Sequence, residues 1–361
     1  MANNNKHTGP NVPALRFPEF SGEWENKCLG DISENISSGR TKSTTKEGKY
    51  VLIGSTGVIG NTSDADYSGN LILVARVGAN AGLINYYSGD CGITDNTLII
   101  KPFEQEKSFC HYVYHYLKHC NLNQFVFGSG QPLITGGMLK RLPIRYGTTD
   151  EINKVSSLFD LLDARIEAQS KIIEEQETLL KSLADKLFNT LDTVTKLHLG
   201  DISELYQPKT IPLSNLSSKG YPVYGANGII GSYKNFNHIT EQICIACRGS
   251  SCGSVNYTVP KAWITGNAMV VNTDNYSNII DKRYLYYYLR RINYSSLISG
   301  SGQPQIVRAP LANLLIPVPT LEKQKHVVLI LETVAKILGT NKIILLHYQN
   351  QKAYLLSHMF I

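Results

Sequence analysis

Several groups of side chains in this 361-residue chain carry enough chemistry to be tested for catalysis. The stretch CIACRGSSC at 244–252 brings Cys244, Cys247 and Cys252 close together, and thiolates are good metal ligands. A zinc ribbon needs a second C-x2-C, which is missing. The first half of the chain has Leu73, Arg76 and Ala81 at the matching places, so the thiols read as filler in a strand and turn. His111, His115 and His119 recur at steps of four, a spacing that puts three imidazoles on one helix face. The matching later positions are Arg283, Tyr287 and Arg291, which repeat no ligand pattern, so an exposed polar helix face is expected. Asp95 stands alone in TDN, and its counterpart is Gly266. GANAG at 78–82 and GSSCG at 249–253 lack both the G-x-G-x-x-G spacing and a terminal GK[ST], so they read as hairpin turns. No H-E-x-x-H, G-x-S-x-G or deaminase-type His/Cys/Glu pattern occurs. The chain reads as a binder and organiser, with no metal site and no catalytic residue.

The cations point to what it binds. Arg76 and Arg248 sit at or beside the ends of strands that run into the glycine turns, where a guanidinium can meet a phosphate or a guanine edge. Arg40, Lys42 and Lys46 precede one apolar strand; Lys209 and Lys219 precede its counterpart; Lys234 and Lys261 follow. The net charge of +6 is compatible with a nucleic-acid partner without requiring one. Abundant Asn, Ser and Gln with 21 tyrosines supply hydrogen-bonding surface, although tyrosines such as Tyr286 and Tyr287 suit helix-on-sheet packing. Seven irregularly spaced cysteines argue against a disulfide framework. The polar, Asn-rich start resembles no signal peptide, and no apolar run reaches membrane-spanning length, so a cytoplasmic location is the default expectation.

The elements that must position these residues occur twice, about 171 residues apart. LGDISE at 29–34 returns at 199–204, YVLIGSTGVIG at 50–60 as YPVYGANGIIG at 221–231, and ITDNTLII at 93–100 as ITGNAMVV at 264–271. GSGQP occurs at 128–132 and again at 300–304, where the offset has slipped to 172. So long a period is a duplicated domain, not a solenoid. Each copy, about 12–146 and 196–319, is a series of short strands and tight turns with one internal helix, at 108–120 and 281–292. STG at 55–57 and ANG at 226–228 place small residues where a positive φ is expected.

From Glu151 a heptad seam takes over: Val155, Phe159, Leu162, Ile166, Gln169, Ile173, Gln176, Leu180, Leu183 and Leu187. Adding 172 gives Val327, Leu331, Val334, Leu338, Asn341, Leu345, Tyr348, Lys352, Leu355 and Met359. Two helices of about 38 residues are expected, each roughly 57 Å long, pairing antiparallel about a pseudo-twofold axis. Gln169 and Asn341 either form a buried amide pair that sets register or meet solvent at a gap. Ile337, Ile343, Ile344 and Leu346 exceed what one partner helix covers, which calls for a protein partner or for packing on the chain's own domains.

The order of these motifs resembles the specificity subunits of type I restriction–modification enzymes. The opening VPALRFPEFSGEWENKCLGDI, YGANGIIG, the glycine turns, both GSGQP segments and the helix ends DKLF and SHMF carry the resemblance across almost the whole chain. It implies an α/β fold, a tandem pseudo-twofold duplication of a mixed α/β target-recognition domain plus long helix, with the helices forming an antiparallel coiled coil. It divides the chain into an N-terminal tail (1–19), a first target-recognition domain (20–150), a central helix (151–192), a second target-recognition domain (193–320) and a C-terminal helix (321–361). It implies a non-catalytic chain that reads a bipartite, asymmetric double-stranded DNA site across a spacer set by helix length. Two modification subunits with S-adenosylmethionine, methylating adenine N6, and restriction subunits with ATP and Mg²⁺ would be its partners. The competing class is a protein-binding scaffold with no preference for any DNA sequence.

Overall fold

The computed structural model describes residues 11–42, 48–126, 132–191, 194–300 and 302–361. It divides into two units, residues 1–170 with 343–361 and residues 171–342. The sequence repeat is a repeat of topology. In unit 1, β1 (Glu25–Cys28), β2 (Ser33–Ser38), β3 (Tyr50–Gly54), β4 (Gly57–Thr62), β5 (Asn70–Ala75), β6 (Ile84–Ser88), β7 (Cys91–Ile93) and β8 (Thr97–Pro102) precede helix α1 (Lys107–His119). A short α2 (Gly136–Lys140) and β9 (Pro143–Tyr146) then lead into the long α3 (Thr149–Asn189). Strands β2-β8-β5-β6 form an antiparallel sheet, β4-β3-β7 a smaller one in which β3 and β7 run parallel, and β1 pairs with β9.

Unit 2 repeats this order. Its strands are β10 (Lys196–His198), β11 (Glu204–Tyr206), β12 (Tyr221–Gly225), β13 (Gly228–Tyr233), β14 (Ile243–Ala246), β15 (Val255–Tyr257), β16 (Trp263–Ile264) and β17 (Ala268–Asn272). Helix α4 (Lys282–Arg291), β18 (Ile298–Ser299), β19 (Gln305–Ile306), α5 (Arg308–Ala312), β20 (Leu315–Pro317) and the long α6 (Leu321–Met359) complete it. The sheets are β11-β17-β14-β15, β13-β12-β16 and β10-β20, with an added β18-β19 hairpin.

Layering explains the near-continuous apolar runs. In β5, Ile72 and Val74 enter the cluster built with α1, while Leu71 and Leu73 enter the cluster shared with Ile53, Cys91 and Ile93 of the smaller sheet. A strand covered on both faces needs apolar residues at every position, not at alternate ones. In β14, Ile243 and Ile245 face the helix side, and Cys244 packs with Tyr224 and Ile264 on the other. The expected positive φ occurs at Gly57 and Gly228, and again at Gly78, Gly82, Gly249 and Gly253 of the hairpins that follow β5 and β14. In LGDIS, Leu29 and Leu199 are fully buried, and the Ser33 and Ser203 hydroxyls each donate to the preceding leucine carbonyl at 2.7 Å.

Each unit also contains half of a helix pair. In unit 1 the Lys352 ammonium pairs with Asp163, and the Arg165 guanidinium lies over the Tyr348 ring. In unit 2 the Lys342 Nζ meets Glu177 at 2.6 Å and the Asn341 amide donates to Gln176 at 3.0 Å. In unit 1 the partner number falls from 352 to 348 as the other helix rises from 163 to 165, and in unit 2 Gln176 meets Asn341 whereas Leu187 and Leu191 lie beside Lys323 and Val327, so the packing is antiparallel in each unit. Every residue of the expected seam is buried or half-buried. Gln169 is buried too, so the reading in which it meets solvent fails.

The end of each long helix enters an aromatic socket. Phe360 packs at 5.3 Å from Tyr112, 5.5 Å from Tyr116 and 5.4 Å from Phe159, ring centre to ring centre. Phe188 sits 5.3 Å from both Tyr284 and Tyr288. The socket tyrosines are tied in turn: the Tyr112 hydroxyl donates to the Arg145 carbonyl at 2.7 Å and that of Tyr284 to Pro317 at 2.8 Å. In unit 1 the N-terminal segment joins in, with the Leu15 N–H donating to the His358 carbonyl at 2.8 Å and Arg16 making a two-pronged pair to the buried Glu151.

The histidine face is the one clear reversal. His115 is 1% exposed and His111 half-buried, not displayed to solvent. Both ring nitrogens meet the same Asp160 oxygen of α3, His111 Nδ1 at 2.6 Å and His115 Nε2 at 3.3 Å. The i, i+4 stripe thus faces the long helix. Unit 2 places Arg283 at the matching position, 3.4 Å from Glu332 of α6. Burial pushes the His115 pKa down. Burial also pulls Asp160 upward, but the bonds from both imidazoles outweigh it and hold the carboxyl well below its usual range.

Two outcomes are expected. Phe360→Ala or Phe188→Ala should each cost about 3–5 kcal/mol, the range for a large aromatic deleted from a core, read from urea unfolding; a loss below about 1 kcal/mol would contradict the socket's role. The His115 contribution is present above its unfolded pKa of about 6.5 and is lost as pH falls below it. Melting temperature should therefore drop from pH 7.5 to 5.5, and His115→Gln should flatten that dependence. An unchanged slope in the variant would refute the assignment.

Candidate nucleic-acid interface

The cations lie on loops fixed from behind. Thr41 is turned inward: its N–H donates to the Ile93 carbonyl at 2.9 Å, its hydroxyl accepts from the Ile93 N–H, and that hydroxyl also bonds Asp66. Extended backbone alternates its side chains, so the flanking Arg40 and Lys42 project outward, and both are exposed. A side chain at Gly39 would strike the Ile93 carbonyl at 2.3 Å, which explains the glycine beside them. Lys46 lies outside the described residues.

In unit 2 the loop after β11 is held by the Trp263 indole N–H, which donates to the Lys209 carbonyl at 3.2 Å, leaving the lysine side chain exposed. Lys219 and Lys234 come together. Tyr221 pairs with Tyr233 at the open end of the β12–β13 hairpin, and the two lysines flank that pair. Lys261 takes a left-handed turn, φ 55°, which is uncommon outside glycine. Among the described residues none of these side chains forms an ion pair, so their charge is available to a ligand.

The structure agrees with the repeat offset that Arg76 is the counterpart of Cys247, one residue before Arg248. The Arg76 N–H donates to Asn96 and its carbonyl accepts from Ile134; Cys247 makes the same two bonds, to Asn267 and from Ile306. Val77 bridges to Leu133, as Arg248 bridges to Gln305. One residue of slip points the two guanidinia to opposite sides of their strands. Arg76 is half-buried, and Arg248 is exposed at a cleft of about 490 Å³. In each unit the last residue of GSGQP caps the glycine turn, with the Gly78 N–H donating to Pro132 and the Gly249 N–H to Pro304, both at 3.0 Å. Residues 127–131 and 301 lie outside the described residues.

The three clustered thiols are accounted for locally. Cys244 is in the core, where burial pushes its pKa to about 12; the Cys247 sulfur accepts from Gln207, and the Cys252 thiol donates to the Pro304 carbonyl. Among the described residues no group of three His, Cys, Asp or Glu is placed to hold a metal ion. No helix is long and apolar enough to cross a membrane. The sequence reading missed one repeated surface feature. Val58 and Ile59 on β4 are 64% and 52% exposed, and Ile229 and Ile230 on β13 are 62% and 42% exposed. The repeated pair after a glycine turn was the available signal, but it looks like any core strand.

A model of the type I restriction modification DNA specificity domain matches residues 21–178 and again 192–347, one copy for each half. The chain belongs to the type I restriction–modification DNA specificity family. A type I restriction enzyme specificity subunit of Haemophilus influenzae is 30% identical over 132 residues, 36% of this chain and 34% of the relative. The EcoprrI specificity subunit of Escherichia coli is 29% identical over 139 residues, 37% of this chain and 34% of the relative. The matched stretch thus spans about a third of each curated relative. The crystal structure of the type I restriction–modification system S subunit from M. genitalium has the same fold, with a TM-score of 0.71 at 19% identity, covering 97% of this chain and 99% of that one. A chain from a type I restriction–modification system, studied for complex assembly and conformational transition, gives a TM-score of 0.54 at 16% identity over 92% of this chain and 96% of that one.

For this specificity-family chain, Arg248→Ala should weaken binding to duplex DNA by roughly tenfold or more, the cost of one lost contact to a base edge. Arg76→Ala, half-buried on the opposite side, should weaken it less. Equal affinities for Arg248→Ala and the parent would remove Arg248 from the interface.

Proposed function

We propose that this chain is the DNA-reading specificity subunit of a type I restriction–modification complex and carries no catalytic group of its own. Its two target-recognition domains read the two parts of an asymmetric double-stranded site, and the length of the helices sets the gap between them. Two modification subunits, with S-adenosylmethionine for adenine N6 methylation, dock on it. Restriction subunits with ATP and Mg²⁺ join that assembly, in the cytoplasm.

The observation that carries this reading is the double match to a DNA specificity domain, laid on two copies with the same strand order and different loop residues. One topology with two sets of surface side chains suits a site with two unlike halves. The exposed, unpaired cations of both units supply the phosphate-binding charge that such a role requires. The long helices supply the docking surface. In unit 1, Leu161, Ile343 and Leu346 are more than half exposed; in unit 2, Leu179 and Leu329 are as well. These apolar side chains are left uncovered by the chain's own domains, which favours a protein partner over self-packing.

The test is to co-express the chain with its modification subunits and map methylated adenines genome-wide at single-base resolution. One asymmetric, gapped motif is the expected result. A soluble assembled complex that adds no methylation would replace this reading with a protein-binding scaffold.

A further inference from the structure

The two units share a scaffold but differ at one concavity. In unit 2 the cleft of about 490 Å³ lies between the ends of β11 and β14 and the start of β19 and α5. Four long polar side chains line it: Gln207, Arg248, Gln305 and Arg308, all exposed. No Asp or Glu is among its lining residues, so neither guanidinium is neutralised there. The backbone beneath is fixed. Arg248 and Gln305 are bridged strand to strand, the Ile306 N–H donates to the Cys247 carbonyl at 3.1 Å, and the Gln207 amide N–H donates to the Cys247 sulfur at 2.8 Å. That last bond leaves the Gln207 amide oxygen free to accept from a ligand.

Register identifies the equivalent places in unit 1. Val77 and Leu133 form the bridge that matches Arg248 and Gln305. Ser38 lies opposite Leu98 as Gln207 lies next to Tyr206, whose partner is Val270. Gly136 opens α2 as Arg308 opens α5. Every long polar donor of the unit 2 cleft is therefore small or apolar in unit 1. A scaffold role for these four residues would predict similar chemistry in both copies. All four side chains are exposed, and among them Gln207 reaches the core through its bond to the Cys247 sulfur.

We propose that this cleft is where the second unit reads purines, with Arg248 and Arg308 directed to guanine and Gln207 and Gln305 to adenine. Guanidinium groups match the two acceptors of guanine's major-groove edge, and a carboxamide matches the donor and acceptor of adenine. A cleft of four such groups without a carboxylate has little to offer cytosine, whose exposed group is a donor. This inference rests on the DNA-reading role proposed above and assigns one part of the target to named side chains. Unit 1, lacking the set, reads its part by other means.

The test uses the full chain co-expressed with its modification subunits, with methylated adenines mapped in genomic DNA for the parent and for Arg248→Ala, Arg308→Ala, Gln207→Ala and Gln305→Ala. All four positions are exposed, so urea midpoints should match the parent's and certify folding. The expected result is that an arginine variant no longer requires a guanine in one half of the motif, and a glutamine variant no longer requires an adenine there. The other half should be unchanged, and the original site should be methylated roughly ten- to hundredfold more slowly, the cost of one lost bidentate contact. Variants that keep the motif and the rate would overturn the assignment. So would variants that slow at all sites with base preference intact, because that is the signature of a phosphate contact. A parent complex that methylates no defined motif would overturn this inference together with the DNA-reading role, and a parent motif unaltered by the variants would overturn this inference alone.

Discussion

The insertion of a phenylalanine at the end of each long helix beneath the tyrosines of α1 or α4 is the contact on which the rest of the structure depends. Phe360 and Phe188 are 2% and 1% exposed, and each is held in an edge-to-face arrangement that favours aromatic pairs beyond simple burial. The tyrosines that receive them are anchored by their hydroxyls to the last strand before a long helix begins. Helix end, short helix and helix start are thus joined at one place in each unit. Within each unit this fixes one end of the antiparallel helix pair against the sheet.

Around this shared contact the two copies have diverged in a graded way. Strand order, turn glycines, LGDIS and the socket are nearly unchanged. One step outward, the contact between the short helix and the long helix keeps its place and changes its chemistry, from two imidazoles on Asp160 to a guanidinium beside Glu332. At the rim even the geometry of display differs, as the one-residue slip between Arg76 and Arg248 makes plain. Change is tolerated in proportion to distance from the core.

Much of this was legible in the residues. The duplicated motifs mark the two copies, and periodicity places the long helices within a few residues of their ends. Turn glycines with positive φ follow from steric rules that need no tertiary information. What escaped the sequence was side-chain direction, which tertiary contacts decide. The His111–His115 stripe seemed exposed because its polar residues were weighed without knowing that a second helix lay opposite. Arg76 and Arg248 both precede a glycine turn, and although the repeat offset matches Arg76 to Cys247, the opposite directions of the two side chains follow only from the backbone hydrogen bonds. The exposure of Val58, Ile59, Ile229 and Ile230 leaves no mark in the sequence, because an exposed apolar strand and a buried one share the same residue types. The cleft lined by Gln207, Gln305 and Arg308 draws on three separate elements, and no local pattern announces it.

The division of the chain has a consequence for how the protein is made. Unit 2 is contiguous, residues 171–342, whereas unit 1 needs residues 343–361 to return to a domain begun at the other end of the chain. A ribosome releases the first domain long before Phe360 and Met359 exist. Until they arrive, Phe159, Tyr112 and Tyr116 lack the rings that complete their core. The segment 171–342 can therefore close before unit 1, which must wait for residues 343–361. During that interval the first domain holds an open aromatic socket, which closes only once Phe360 has been made.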